Sequence, residues 1–328
     1  MISILIMTFD LFNKISSKYK DYKVEKIKSG ASKRLFYRLS GKSNSVICLD
    51  SRNERKEYSD LLKVHSYLSK INVSIPDIYE NDDVNNILIL EDFGNLRFDK
   101  ILKTYPLKSL LECAVKTLIV LKNEILFDNF KDLSIYNYNT FKSELSEFPN
   151  YYYPYVYSKE IPKDLSDEFY ECWQKYFYSL SFSFINFTHK DFNINNLIYL
   201  PSRKDHLKCG ILDFQSAFWG ESCWDLFSLL EDSRIFFDDQ FNDYFIKLYY
   251  HNTNQNIEFE DFIEKYYMLN CSRQTRLLGR WVKLSKELNQ SFYLDFIEVT
   301  KKRLLKVFEK IKRRDLRSVY AKLLSESF

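Results

Sequence analysis

Two polar clusters, each joined to a short apolar run, constrain the fold of this chain more than any other feature. The stretch HKDFNINNLIYL places His189, Asp191 and Asn196 just ahead of one short apolar run. Farther along, CGILDFQ places Asp213 directly after a second apolar run, and a gap of hairpin size separates the two runs. An isolated polar loop of this kind is more often a turn in which Asp and Asn side chains cap the backbone. The two clusters in this order instead indicate a chemical site.

The spacing of the first cluster predicts phosphoryl transfer. It fits H-x-D-x-x-x-x-N, the spacing of the catalytic loop in protein-kinase-like phosphotransferases. In such a loop a carboxylate faces the attacking hydroxyl, and a carboxamide oxygen a turn later binds the metal on the nucleotide phosphates. Asp213 then lies where the D-F-G aspartate lies in kinases, with Gln215 in place of the glycine. Together the clusters predict a site for ATP and Mg²⁺.

The order of elements along the chain predicts an α+β, protein-kinase-like fold of two lobes. The first ninety or so residues show strand, glycine turn, strand, strand, helix and strand, and the stretch LILEDFG ends this part as a hinge. After Gly94 the helical period dominates. We therefore expect a small β-rich nucleotide-binding lobe over residues 1–93. A larger, mainly helical lobe over residues 94–328 would carry the catalytic loop and the acceptor site.

Composition and charge exclude several other classes of protein. Hydrophobic residues make up 45% and aromatic residues 17% of the chain, which is typical of a globular protein rather than a disordered one. The formal net charge of +3 provides no strong field, so we expect neither a nucleic-acid nor a membrane partner. The opening MISILIM is too short to span a bilayer, and the six cysteines form no C-x-x-C pair. We therefore expect a cytoplasmic protein.

Several blocks of the sequence carry a resemblance to a known family. They are SGASKRLFYRL, LILEDFG, HKDFNINNL, GILDFQSAFWGESCWDLFSLLEDSR and RQTRLLGRWVKL, and they follow one another in family order from about residue 29 to 290. In these blocks the chain resembles the aminoglycoside-phosphotransferase-like kinases. It is more similar still to the bacterial N-acetylmuramate/N-acetylglucosamine anomeric kinases of cell-wall recycling. The F-Q after the aspartate and the D-L-x-S-L-L block distinguish this branch from kinases in general.

The resemblance implies a role for each residue of the two clusters. Asp191 is expected to orient and deprotonate the sugar hydroxyl, while Asn196 and Asp213 hold Mg²⁺. His189 is expected to brace the loop. Asp225, in CWDLFSLL, is expected to tie the catalytic loop to the helical lobe through hydrogen bonds.

The same resemblance assigns the nucleotide contacts to the N-terminal lobe. The backbone of Gly30, Ala31 and Ser32 is expected to cover the phosphates and to donate N–H groups to them. The backbone near Glu91 and Phe93, in the hinge, is expected to meet the adenine edge.

Four departures from the family and kinase patterns stand out. Asn193 replaces a histidine of the family, Trp224 replaces a tyrosine, and Ser29 and Gly30 replace a G-D pair. Leu49 lies near the place where protein kinases keep the V-A-I-K lysine, so no lysine–glutamate pair is visible. Arg34 or Arg38 is expected to supply that charge, although an arginine on a hairpin is more often merely exposed.

The acceptor pocket is the least constrained part of the sequence. N-acetylmuramate carries a carboxylate, so the resemblance implies an arginine in the helical lobe. Arg273, Arg276 and Arg280 lie at helical spacing in the matching block, and Arg273 and Arg276 are the predicted substrate ligands. Arginines on the surface of a helix are an equally good interpretation.

These observations predict an ATP- and Mg²⁺-dependent kinase of a small molecule. The expected acceptor is an N-acetylated amino sugar, N-acetylmuramate or N-acetylglucosamine, phosphorylated at its anomeric hydroxyl in cell-wall recycling. One alternative is a kinase of another small alcohol, such as choline, homoserine or an aminoglycoside, which would need an acidic pocket. The other is a nucleotide-binding pseudokinase that acts as a regulatory module.

Overall fold

A computed structural model gives the fold of the protein and describes residues 17–27, 33–130, 132–235 and 238–325. The predicted phosphate-covering turn of Gly30, Ala31 and Ser32 lies outside the described residues. The remaining site residues predicted from the sequence all fall within them.

The N-terminal lobe is one antiparallel sheet with a helix inserted in its sequence. The sheet has the strand order β1-β2-β3-β5-β4, with the strands β1 Lys23–Ile27, β2 Leu35–Ser40, β3 Ser45–Asp50, β4 Ile78–Asp82 and β5 Ile87–Glu91. Along β3, Leu49 packs in the core that continues under the helix, whereas Cys48 packs on the opposite face, as the two-residue period of a strand requires. Both faces of the central strands are therefore covered, which explains their nearly continuous apolar sequences.

Helix α1, Arg55–Leu68, joins β3 to β4 and packs on this sheet. Its buried residues are Tyr58, Leu61, Val64, Tyr67 and Leu68, which recur at the spacing of one helical face. Glu57 lies in the first turn of the helix. The packing of α1 therefore fixes the position on the lobe from which the Glu57 side chain extends.

The C-terminal lobe is mainly helical. Its helices are α2 Phe98–Ile101, α3 Leu107–Glu124, α4 Tyr138–Leu145, α5 Tyr153–Tyr157, α6 Lys163–Ser179, α7 Trp224–Leu230, α8 Asp239–Asn252, α9 Phe259–Leu288, α10 Ile297–Lys310 and α11 Arg314–Leu324. A π-helical turn, Phe148–Tyr152, leads into α5. The short 3₁₀ turns are Ser17–Tyr19, Phe127–Asn129, Asp205–Lys208 and Ser291–Phe296. The small sheet and the larger helical part confirm the predicted two-lobe fold.

Two short antiparallel ribbons lie within the helical lobe. Strand β6, Asn186–Thr188, pairs with β9, Phe218–Gly220, and strand β7, Leu197–Tyr199, pairs with β8, Cys209–Ile211. The segment with His189, Asp191 and Asn196 connects β6 to β7, and the segment with Asp213 connects β8 to β9. Both polar clusters thus lie in loops, and each loop connects one ribbon to the other.

Helix α9 approaches the π-helical turn unusually closely at Gly279. A Cβ atom placed there would lie 2.0 Å from the carbonyl oxygen of Glu147 and 2.7 Å from the backbone nitrogen of Phe148. Only a residue without a side chain allows this contact. Among the described residues, no helix combines the length and the apolar character needed to cross a membrane.

Candidate active site

The loop that follows β6 is held at its start by a buried carboxylate. Asp225, on α7, accepts hydrogen bonds from the backbone N–H groups of His189, at 2.6 Å, and Lys190, at 3.1 Å. Burial raises the pKa of Asp225 to about 7, although the two N–H donors act in the opposite direction. Lys190 has a positive φ of 80°, a conformation that such external support maintains. Asp225 therefore ties the loop to the helical lobe.

The imidazole of His189 joins this loop to the end of β8. Its Nε2 lies 2.9 Å from the carbonyl oxygen of Leu212, the residue before Asp213. The ring is fully buried, and burial lowers its pKa even though Asp191 and Asp213 both favour the charged form. A neutral ring that donates from Nε2 satisfies this geometry. His189 therefore braces the two polar clusters against each other.

The turn between Asp191 and Asn196 is closed by amide hydrogen bonds. The Asp191 carbonyl accepts from the backbone N–H of Asn193 at 2.9 Å and from Nδ2 of Asn196 at 2.9 Å. Because its Nδ2 is used in this way, the Oδ1 of Asn196 faces away from the turn. The Asp191 residue itself is exposed. The loop therefore presents one carboxylate and one carboxamide oxygen.

The β7–β8 ribbon brings Asn196 next to the segment with Asp213. Leu197 pairs with Ile211, and the Leu212 N–H donates to the Asn196 carbonyl at 2.9 Å, so Asn196 and Asp213 are separated by about one position of the register. Within the described part of the chain, no group of three or more His, Cys, Asp or Glu residues forms a metal site. Mg²⁺ is commonly bound by only one or two protein oxygens together with phosphate oxygens and waters. The oxygens of Asn196 and Asp213 fit this requirement.

The carboxylate of Asp213 is oriented from two sides. Its Oδ1 accepts from Nε2 of Gln215 at 3.0 Å and from Nη2 of Arg34 at 2.5 Å. The backbone of Asp213 has a φ of +63°, which aspartate tolerates better than most residues. The sequence marked Gln215 only as a substitute for a kinase glycine and missed this role. The F-Q pair was the signal that could have revealed it.

The structure separates the two candidate arginines of the N-terminal lobe. Arg34 is only 2% exposed, and its Nε lies 3.1 Å from a carboxylate oxygen of Glu57 on α1. Arg34 thus connects Glu57 to Asp213. Glu57 was not singled out from the sequence, although its place in the first turn of the helix after β3 was a usable signal.

Arg38 lies at the hinge instead. It contacts Asp92 at 2.7 Å, Oδ1 of Asn95 at 2.5 Å and the carbonyl oxygen of Gly94 at 3.1 Å. Burial would raise the pKa of Asp92, but hydrogen bonds from Arg38, Ser45 and the Gly94 N–H outweigh it and lower that pKa. Arg38 therefore fixes the shape of the hinge.

The other two predicted nucleotide contacts also lie in the hinge. Glu91 is paired with Arg203 at 2.7 Å, which joins the last residue of β5 to the helical lobe. The Phe93 ring packs on the β7–β8 ribbon, where a Cβ at Gly210 would lie 2.7 Å from it. The backbone from Glu91 to Gly94 is thereby placed at the junction of the lobes, where the sequence predicts the adenine edge.

The arginines predicted to bind the acceptor lie on α9. Arg276 contacts Glu144 at 3.0 Å, and Arg280 contacts Glu147 at 3.1 Å. Burial would lower the pKa of Arg276, but Glu144, Glu147 and, to a smaller extent, Asp191 outweigh it and raise that pKa. A small cavity of about 10 Å³ adjoins this group, the room of a single water molecule. It is lined by Tyr136, Phe141, Glu144, Leu145, Trp224, Ser272, Arg273 and Arg276.

Among the described residues, Nη1 of Arg273 and Nε of Arg276 are both buried without a hydrogen-bond partner, although Nε of Arg276 lies 3.7 Å from a carboxylate oxygen of Glu147. Burial lowers the pKa of Arg273 to about 10, against the opposing influence of Asp232 and Asp191. Asp232 is itself held by Arg234 at 2.7 Å. The sequence analysis did not single out Arg234, although it is the last residue of the block GILDFQSAFWGESCWDLFSLLEDSR. Asp191 acts to raise the pKa of Arg234 and of the three arginines of α9, so its carboxylate is electrostatically coupled to all four.

Comparison with known proteins agrees with the predicted kinase class. Residues 166–259 match the family described as "Phosphotransferase enzyme family". The N-acetylmuramate/N-acetylglucosamine kinase of Neisseria meningitidis is 27% identical over 64% of this chain and 61% of its own length. That of Pseudomonas aeruginosa is 24% identical over 81% of this chain and 78% of its own length. The match therefore spans about three fifths of the first relative and about four fifths of the second.

A solved structure shares the fold over nearly the whole chain. The GDP complex of wild-type aminoglycoside 2'-phosphotransferase-IIIa covers 93% of this chain with a TM-score of 0.65 and 13% sequence identity, and 98% of that chain is covered. At this identity the likeness concerns the fold. The match to the phosphotransferase enzyme family over residues 166–259 and the similarity to two kinases support a small-molecule kinase, and the solved structure shows the same two-lobe fold.

Proposed function

We propose that this protein is an ATP- and Mg²⁺-dependent kinase that phosphorylates the anomeric hydroxyl of N-acetylmuramate or N-acetylglucosamine. The family and the two kinase relatives support a small-molecule kinase. The sugar acceptor comes from the names of those relatives. The anomeric position and a place in cell-wall recycling come from the resemblance of the sequence blocks, and all three are part of the proposal.

One observation carries the proposal. The β7–β8 ribbon sets Asn196 beside the segment that holds Asp213, and Asn196 lies in the same loop as Asp191. A base and two oxygen donors for a metal ion are the protein's share of a phosphoryl-transfer site. A pseudokinase has no need of all three groups, so this arrangement favours an active enzyme.

The chemistry assigned to the chain's own residues is limited to proton transfer and positioning. Asp191 is exposed and accepts the proton of the acceptor hydroxyl, which in a hemiacetal is more acidic than in an ordinary alcohol. Asn196 and Asp213 would hold Mg²⁺, whose charge stabilises the transferring phosphoryl group. Asp225 and His189 keep the loop in place. No covalent enzyme intermediate is required.

The charges near Asp191 favour a neutral or anionic acceptor over a cationic one. The side chains coupled to Asp191 include Arg234, Arg273, Arg276 and Arg280, and Glu144 and Glu147 are already paired with the last two. Choline and aminoglycosides are cations and need carboxylates around them. N-acetylmuramate carries a carboxylate that an arginine can bind.

The proposal is tested by incubating the protein with ATP, Mg²⁺ and one acceptor at a time: N-acetylmuramate, N-acetylglucosamine, choline or kanamycin. ADP release should occur with a sugar, and the reducing-sugar signal should fall in step because phosphorylation blocks the anomeric carbon. Turnover with choline or kanamycin but with neither sugar would contradict the proposed acceptor. Asp191→Asn should lower kcat by about 100-fold or more, whereas the exposed Asp164→Asn should leave it unchanged.

A further inference from the structure

We infer that Arg34 binds the nucleotide phosphates and that Glu57 positions it, so that this pair replaces the lysine–glutamate pair of protein kinases. The inference rests on the proposed kinase function, because it concerns the nucleotide half of the same site.

The sheet explains how an arginine on one strand can serve where kinases use a lysine on the next. In protein kinases the lysine stands on the third strand and pairs with a glutamate of the following helix. Here Leu49 on β3 is 1% exposed and packs in the core, so it cannot carry a cation into the cleft. Arg34 directly precedes Leu35, which pairs with Asp50 at the end of β3. Its long side chain therefore starts from the neighbouring strand and reaches the same helix.

The contacts of Arg34 are those expected of such a cation. Its Nε lies 3.1 Å from Glu57 on α1, and its Nη2 lies 2.5 Å from Asp213. The arginine is 2% exposed, whereas the side chains of Glu57 and Asp213 are 43% and 39% exposed. The guanidinium is therefore fixed from the protein side, beside the carboxylate that would hold the metal. Phosphates held by that metal ion would lie next to Arg34.

Charge and chemistry fit a phosphate as the ligand. A guanidinium remains charged at any physiological pH and can donate two parallel hydrogen bonds to one phosphate. Glu57 contributes orientation through Arg34 without reaching the phosphates itself. Arg34 is accordingly assigned to nucleotide binding, and Glu57 is a positioning residue.

The competing interpretation is that Arg34 only bridges the two lobes and binds no ligand. Comparing the binding of nucleotides with that of a nucleoside distinguishes this interpretation from phosphate binding. We would measure the affinities of ATP, ADP and adenosine by calorimetry, without any acceptor, for the wild type and for Arg34→Ala, Arg34→Lys and Glu57→Gln. Arg55→Ala is the matched control, because Arg55 is an exposed arginine on α1, the helix that carries Glu57. Thermal unfolding of each variant reports on the fold separately.

The expected result is a selective loss of phosphate affinity. Arg34→Ala should weaken ATP and ADP binding about ten- to a hundredfold, as expected for a lost charge-assisted hydrogen bond, and should leave adenosine unchanged. Arg34→Lys should recover part of the loss, Glu57→Gln should show a smaller loss, and Arg55→Ala should show none. Equal weakening of ATP and adenosine, or unchanged ATP binding, would overturn the inference.

The outcome is separable from that of the acceptor assay. If the wild type binds ATP but phosphorylates neither sugar, the proposed acceptor is wrong while the assignment of Arg34 stands on its binding data. If the wild type binds neither ATP nor ADP, both the kinase function and the role of Arg34 are overturned.

Discussion

Gly279→Ala tests whether the close contact between α9 and the π-helical turn is rigid. The added Cβ would lie 2.0 Å from the Glu147 carbonyl oxygen, and real Cβ atoms essentially never approach closer than 3.0 Å, so the backbone must move by about 1 Å. Such overpacking costs about 1–3 kcal/mol or more. The better helix propensity of alanine returns about 1 kcal/mol. Because the obstacle is backbone, we place the net loss of unfolding free energy at about 2 kcal/mol.

Thermal unfolding measures this loss directly. For a chain of this length, an unfolding entropy of about 2.1 cal/mol/K per residue converts 2 kcal/mol into a fall in Tm of about 3 °C. Gly41→Ala is the control, because the nearest atoms there belong to the side chains of Tyr22 and Asn44, which can move. The control should stay within about 1 °C of the wild type.

The same substitution should also affect the acceptor site. Glu147 contacts Arg276 at 3.7 Å, Arg280 at 3.1 Å and Lys283 at 3.6 Å, so displacement of its backbone disturbs the arginines of α9. We expect the KM for the sugar to rise while the KM for ATP is unchanged. An unchanged or higher Tm for Gly279→Ala would refute the reasoning, since it would show that the π-helical turn yields without cost.

Four further predictions concern the site. Asn196→Ala should raise the Mg²⁺ concentration for half-maximal activity about tenfold or more, whereas Asn195→Ala should not, and a Mg²⁺ titration of initial rates decides between them. The lowered pKa of His189 means that its contribution to stability is lost as pH falls below about 6.5, so the fall in Tm between pH 7 and 5 should be smaller in His189→Gln than in the wild type. The raised pKa of Asp225 acts in the opposite sense: the contribution of this carboxyl to stability is full below about pH 4 and is lost as pH rises through 7. Between pH 5 and 8, Asp225→Asn should therefore lose less unfolding free energy than the wild type, as measured by urea titrations. Arg38→Ala removes the main partner of the buried Asp92 and should lower Tm by about 1–4 °C. It should change the KM for ATP less than Arg34→Ala does. Equal effects of the two variants on this KM would contradict the hinge role of Arg38.

Sequence spacing was sufficient to predict the two-lobe fold and to propose a catalytic loop because the necessary information is local. The motif from His189 to Asn196 lies in one loop, and Asp213 lies in the next, so short-range order along the chain already relates them. The strand and helix periods of the first ninety residues likewise follow from side-chain alternation, which each element expresses by itself.

Tertiary structure alone decided which long-range partners meet. Arg34 and Asp213 are 179 residues apart, and Arg276 and Glu144 are 132 apart, so no period or spacing relates them. On the sequence Arg34 and Arg38 were equivalent hairpin arginines. The structure separates them because Arg34 lies just before β2, where its side chain meets Glu57 on α1 and Asp213, whereas Arg38 lies farther along the strand and meets Asp92 at the hinge. The sequence by itself thus determined the two-lobe fold and predicted the residues proposed to hold the metal and to accept the proton, and packing between distant segments determined which arginine lies beside Asp213.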